Sequence, residues 1–83
     1  MVKKFRKKPV VIEAIQWIDG NKNDVLEFIG VHGYYTDIPS PVIILQTFEG
    51  RLGAVPSDWI IKGVAGEFYP CKPDIFEQTY EEV

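Results

Sequence analysis

The sequence predicts a single α+β domain over residues 1–83: a small, mainly antiparallel sheet of four or five strands, one short helix after the first strand and a second helix at the C-terminus. Three observations carry this reading. Runs rich in β-branched and aromatic residues occupy positions 10–18, 42–48 and 59–62, each bounded by Gly, Pro, Asn or Asp. The apolar residues of 22–29, and of the stretch after Pro73, recur at helical spacing. Glu49-Gly50 and residues 63–66 stand between consecutive strand candidates as hairpin tips, which makes the sheet antiparallel.

Pro9 brings the chain into the first strand in an extended conformation. Val10, Ile12, Ala14 and Ile18 fall on one face and Val11, Glu13, Ile15 and Trp17 on the other, so the strand is expected to be covered on both sides for part of its length. Asp19-Gly20-Asn21 ends it. A helix follows over about 22–29: Asn21 or Asn23 caps it, Asp24 and Glu27 suit its positive end, and Gly30 takes the left-handed position behind it. Val25, Leu26 and Ile29 form the stripe that faces the sheet.

Residues 31–41 read as a loop, punctuated by Gly33, Asp37, Pro39, Ser40 and Pro41 and holding Tyr34 and Tyr35. As the longest irregular segment, it is where variable function is expected. Residues 42–48 and 51–55 form a hairpin whose second strand is weakened by Gly53. Pro56-Ser57-Asp58 is a turn in which proline fixes φ. Residues 59–62 and 67–70 form the last hairpin, with Pro70 confining its strand to a sheet edge or standing as its last residue. Pro73 opens a terminal helix to about Glu82, with Phe76 and Tyr80 one turn apart. Ile12, Ile44, Trp59 and Ile61 are the expected core.

A domain of this size buries only about 60–65% of its unfolded surface, so its core must be dense. Two Trp, five Phe and four Tyr supply that density. The single cysteine, Cys71, excludes an internal disulfide and suits a reducing compartment, so a cytoplasmic location is expected. The apolar stretch behind the basic start is interrupted by Glu13 and Gln16, unlike a secretory signal, and no stretch approaches the roughly 20 apolar residues of a membrane span.

Net charge is −3, but it is unevenly placed: Lys3, Lys4, Arg6, Lys7 and Lys8 are five of the nine basic residues, leaving four basic against twelve acidic residues, or −8, in the remainder. A basic arm on an acidic body can reach for nucleic acid, for a membrane surface or for the acidic body of the same or a neighbouring subunit. It can also simply keep an edge strand soluble.

Motifs that carry chemistry are sparse. Asp58, Glu67 and Asp74, or Glu67 with Lys62 and Tyr69, have no spacing that fixes a shared pocket. His32 and Cys71 do not make a zinc site, and residues 63–66 lack the Gly-Lys-Ser/Thr ending of a phosphate loop. The sequence points away from catalysis and calls for no metal or cofactor. Rings are the stronger candidates: Trp59, Phe68, Tyr69, Phe76 and Tyr80 either form core or stack on bases and fill a partner's pocket. A binding surface is expected from Tyr34 and Tyr35 in the long loop and from Lys62, Glu67, Tyr69 and Lys72 around the final hairpin, because exposed tyrosine offers area and a hydroxyl at low entropic cost.

Several stretches resemble a family of small bacteriophage and prophage proteins of low-GC Gram-positive hosts. They are Phe5-Arg6-Lys7-Lys8-Pro9 and the residues leading on to Trp17, Thr47-Phe48-Glu49-Gly50, Pro56-Ser57-Asp58-Trp59-Ile60-Ile61-Lys62-Gly63, and Gly66-Glu67-Phe68-Tyr69-Pro70-Cys71-Lys72-Pro73-Asp74-Ile75-Phe76 on to Tyr80. The likeness spans most of the chain except residues 19–41. Where the family reads Pro-Gly-Asp-Trp, Ser57 stands in place of the glycine, which argues against a turn with positive φ here. The resemblance implies a phage origin and an accessory role; the lack of catalytic motifs and the single cysteine add the expectation of a non-enzymatic protein in the host cytoplasm. The expected partner is a host or phage protein or a sequestered small ligand, with self-association into a homo-oligomer. The alternative is a nucleic-acid-binding module built on Lys3, Lys4, Arg6, Lys7, Lys8 and the exposed rings.

Overall fold

The computed structural model describes residues 1–83 and shows an α+β chain of six strands and two helices. The strands are β1 (Glu13–Gln16), β2 (Gly33–Thr36), β3 (Val42–Thr47), β4 (Gly50–Ala54), β5 (Trp59–Lys62) and β6 (Phe68–Cys71). Helix α1 (Lys22–Ile29) follows β1, and α2 (Pro73–Thr79) follows β6. The strands form two antiparallel three-stranded sheets, ordered β1-β5-β6 and β2-β3-β4, in place of the single sheet of four or five strands expected. The sixth strand is β2, inside the segment read as a loop. Tyr34 and Tyr35 pair there with Ile44 and Ile43. Gly33 opens β2 because a Cβ at that position would run into the backbone carbonyl of Ile44.

The core lies between the sheets. Trp17, Val25, Ile29, Ile43, Leu45, Ala54, Ile60 and Phe68 form one buried cluster, with Ile15, Leu26, Phe28 and Tyr35 against it. Helix α1 reaches this cluster through Val25 and Ile29, as its stripe requires. Of the four expected core residues only Ile61 is fully buried; Ile12, Ile44 and Trp59 are half-buried. For Ile44 the reason is parity: β3 turns Ile43 and Leu45 inward, which puts Ile44 on the opposite face. Ile61 belongs to the far face of the first sheet, where Trp59 stacks on Phe76 of α2 with centroids 4.0 Å apart and planes 3° apart. The first sheet is therefore covered on both faces.

Pro73 occupies the first turn of α2, but the helix ends at Thr79, short of Glu82. Asn21 precedes α1 without capping it. Its side chain instead accepts from Ile18 N and donates to the carbonyl of Gln16, closing the bend after β1. Residues 1–12 have no regular structure, so the strand expected from Val10 begins only at Glu13. The register gives the cause: Glu13 faces Lys62, the last residue of β5, and beyond it the partner strand has turned away.

Candidate functional site

The turn between β4 and β5 is the most tightly bonded local structure in the chain. Asp58 N donates to Val55 O at 3.0 Å, with Pro56 and Ser57 as its central residues. Ser57 has φ +84°, the left-handed value that the second central residue of a type II turn needs and that glycine supplies without strain. Serine thus adopts the positive φ that its presence argued against. The compensation is visible around it. The Asp58 carboxylate, 3% exposed, accepts from Val55 N at 2.9 Å and from Lys72 Nζ at 3.1 and 3.2 Å. Ser57 N donates to Trp17 O, Trp17 N donates to Asp58 O, and Gln16 Nε2 donates to Ser57 O. This network ties the turn to the end of β1 and fixes the start of β5, and with it Trp59.

Trp59 stands in the wall of an apolar groove of about 620 Å³ that runs along β1, the open edge of the first sheet. Residues 10–16 line its length, Phe28 of α1 closes one side, and Trp59, Phe76 and Tyr80 close the other. Phe76 and Tyr80 are in ring contact at 5.0 Å, so the second wall is a run of three rings held on one another. Glu13, Glu81 and Glu82 bring negative charge to the groove. Trp59 Nε1 is buried with no hydrogen-bond acceptor, a donor whose desolvation costs about 1–3 kcal/mol unless something supplies one. The groove can hold an extended segment: backbone hydrogen bonds on the strand edge, apolar side chains against the rings and cationic side chains at the carboxylates.

The residues expected from the sequence to form a binding surface lie elsewhere, and none of them lines this groove. Tyr34 and Tyr35 sit on β2 in the second sheet, and Lys62, Glu67, Tyr69 and Lys72 belong to the β5–β6 hairpin and its end. Tyr34 keeps 52% of its surface exposed. Tyr35 is half-buried, edge-on to Trp17 at 6.1 Å and under Lys22 Nζ at 4.1 Å. Lys62 Nζ lies 5.9 Å from the centre of the Phe68 ring, and Lys72 is held by Asp58. Glu67 closes its own turn, its carboxylate accepting from Ala65 N and its carbonyl from Gly63 N. Tyr69 is pushed up to about 12, first by burial, then by the neighbouring Tyr80 hydroxyl and the Glu67 charge. Burial also raises the Cys71 thiol, aided by Asp58 and Asp74, which keeps it in the unreactive protonated form.

Sequence reasoning singled out Trp59, Phe76 and Tyr80 as rings able to serve core or partner, but not the groove they share. The signal for it was the excess of the β-branched run 10–18 over the length of any strand that could pair with it. No group of three or more His, Cys, Asp or Glu is arranged to hold a metal ion, and no helix is long and apolar enough to cross a membrane. Comparison with protein-family models, curated proteins and solved structures finds no match for the chain.

Proposed function

We propose that the protein is a non-enzymatic binding module that holds an extended, apolar and basic segment of a host or phage protein along the β1 edge. One coincidence carries this reading: the same edge that leaves strand hydrogen bonds open is flanked by the Phe28 and Trp59–Phe76–Tyr80 walls and by Glu13, Glu81 and Glu82. The phage setting, an accessory role in the host cytoplasm, rests on the resemblance of residues 5–17 and 56–80. The groove volume also suits a small ligand. The open strand edge favours a peptide, because it is useful only to a backbone.

Calorimetric titration with strand-forming peptides tests this. Peptides alternating apolar residues with lysine are expected to bind more tightly than neutral ones, and those carrying glutamate not at all. Phe76→Ala should weaken the lysine series while Tyr34→Ala leaves it unchanged. Equal affinity for basic and acidic peptides, or binding of short oligonucleotides in their place, overturns the proposal.

A further inference from the structure

Residues 10–12 form a strand sequence without a strand. Val10 and Val11 are 50% and 76% exposed, and none of the turn, loop or side-chain hydrogen bonds involves residues 1–12. Beyond them Phe5 is 89% exposed among five cations, none of which forms an ion pair; the single ion pair of the chain is Asp58–Lys72. The molecule measures 47 Å along its longest axis against 27 and 20 Å along the others. The radius of gyration, 13.9 Å, exceeds the value of about 12 Å for a compact chain of this length.

We infer that two copies of the chain pair antiparallel through residues 4–16, centred on Val10, so that each basic arm lies along β1 in the acidic groove of the other, with Lys7 facing Glu13. The inference rests on the reading of the groove as a site for an extended basic segment, and it names the segment. The arm meets every requirement of the groove: Phe5, Val10 and Val11 for the ring walls, Lys3, Lys4, Arg6, Lys7 and Lys8 for Glu13, Glu81 and Glu82, and a free backbone for the edge. Lys8, preceding Pro9, is held extended, and Lys7 Nζ lies 5.4 Å from the centre of the Tyr80 ring of its own chain, the kind of contact the arm would exchange for the same ring of the second copy. Nine extended residues span about 30 Å, enough to follow a groove along a body 27 Å wide. Twofold symmetry makes the contact self-complementary and joins the two edges into one six-stranded sheet, removing the exposed edge from both copies.

Sedimentation equilibrium of the full chain tests it. The parent is expected to dimerise, more weakly as salt rises. Val10→Pro removes one strand donor from each copy, because the even-numbered residues turn their backbone to the open edge while Trp17 and the other odd-numbered ones turn theirs to β5, and Val10 makes no hydrogen bond within the chain. It should raise the dimer dissociation constant by about 10- to 100-fold with an unchanged circular dichroism spectrum. Glu81→Lys with Glu82→Lys should weaken the dimer, and adding Lys7→Glu with Lys8→Glu should restore it. A parent that stays monomeric into the millimolar range overturns the inference, as does a dimer indifferent to all these changes, or an arm that retains DNA or RNA in place of a second copy. A synthetic peptide of residues 2–12 separates the two readings: if it binds while the parent is monomeric, the groove reading stands and the dimer falls. If it does not bind, both fall.

Discussion

Replacing Ser57 with glycine is expected to stabilise the protein, against the usual direction of point substitutions. Ser57 is held at φ +84°, where an L-residue pays roughly 1–2 kcal/mol for the approach of Cβ to the backbone. Glycine removes that cost and adds about 0.5–1 kcal/mol of unfolded-chain entropy, leaving a net gain of about 0.5–1 kcal/mol. Nothing is forfeited with the side chain, because the contacts of Ser57 run through its backbone, from N to Trp17 O and from its carbonyl to Gln16 Nε2. In a domain of this size the gain corresponds to a rise of about 2–8 °C in melting temperature, readable by differential scanning calorimetry. Ser57→Ala serves as the control: it keeps the strain and should stay within about 0.5 kcal/mol of the parent. A glycine variant that melts at or below the parent would refute the argument that the turn is strained at this residue.

Asp58→Ala should cost about 2–3 kcal/mol in urea denaturation, because it leaves Val55 N without the carboxylate that accepts its hydrogen bond. Lys72→Met should cost less than about 1 kcal/mol, since its end of the ion pair is 62% exposed; equal costs would place the stabilisation in the ion pair and not in the turn. Tyr34→Ala should leave stability within about 0.5 kcal/mol and Tyr35→Ala should lower it by about 1–3 kcal/mol, the difference following from the contacts of Tyr35 with Trp17 and Lys22; indifference at both sites would contradict the packing of Tyr35. The raised Tyr69 hydroxyl contributes stability that is fully present below pH 10.0 and is lost as pH climbs through about 12. Tyr69→Phe should therefore flatten the alkaline limb of the stability profile, and an unchanged limb would mean that the hydroxyl titrates alike in the folded and unfolded chains.

Local signals were legible where residue pattern and partner length agree. β5 and α1 carry their own periodicity and turn residues, and both appear with the bounds the sequence implied. β2 was not legible: it opens on Gly33, carries only Tyr34, Tyr35 and Thr36, and exists because β3 offers it an edge. The division into two sheets is likewise a matter of which strands meet across the chain, as the pairing of β1 with β5 over more than forty residues shows. Ile44 illustrates a finer limit. A run of four apolar residues, Val42 to Leu45, has no alternation to say which pair turns inward, and Ala54 on the neighbouring strand decides it by pairing with Ile43. For the groove, Trp59, Phe76 and Tyr80 were visible as a ring set, but the wall formed by residues 10–12 was masked by their reading as paired strand. Only the end of β5 at Lys62 shows that the strand has no partner there.

The most direct test of the groove is the resonance of the Trp59 indole N–H, a buried donor with no acceptor in the chain. Nuclear magnetic resonance of nitrogen-15-labelled Val10→Pro protein, titrated with the peptide of residues 2–12, should shift that signal together with the amides of residues 13–16. The Trp17 indole, set in the core beside Tyr35, should stay in place. An unmoved Trp59 signal, with shifts gathered instead on Tyr34, Lys62 or Lys72, would contradict the account and return the binding surface to the β2 face and the final hairpin.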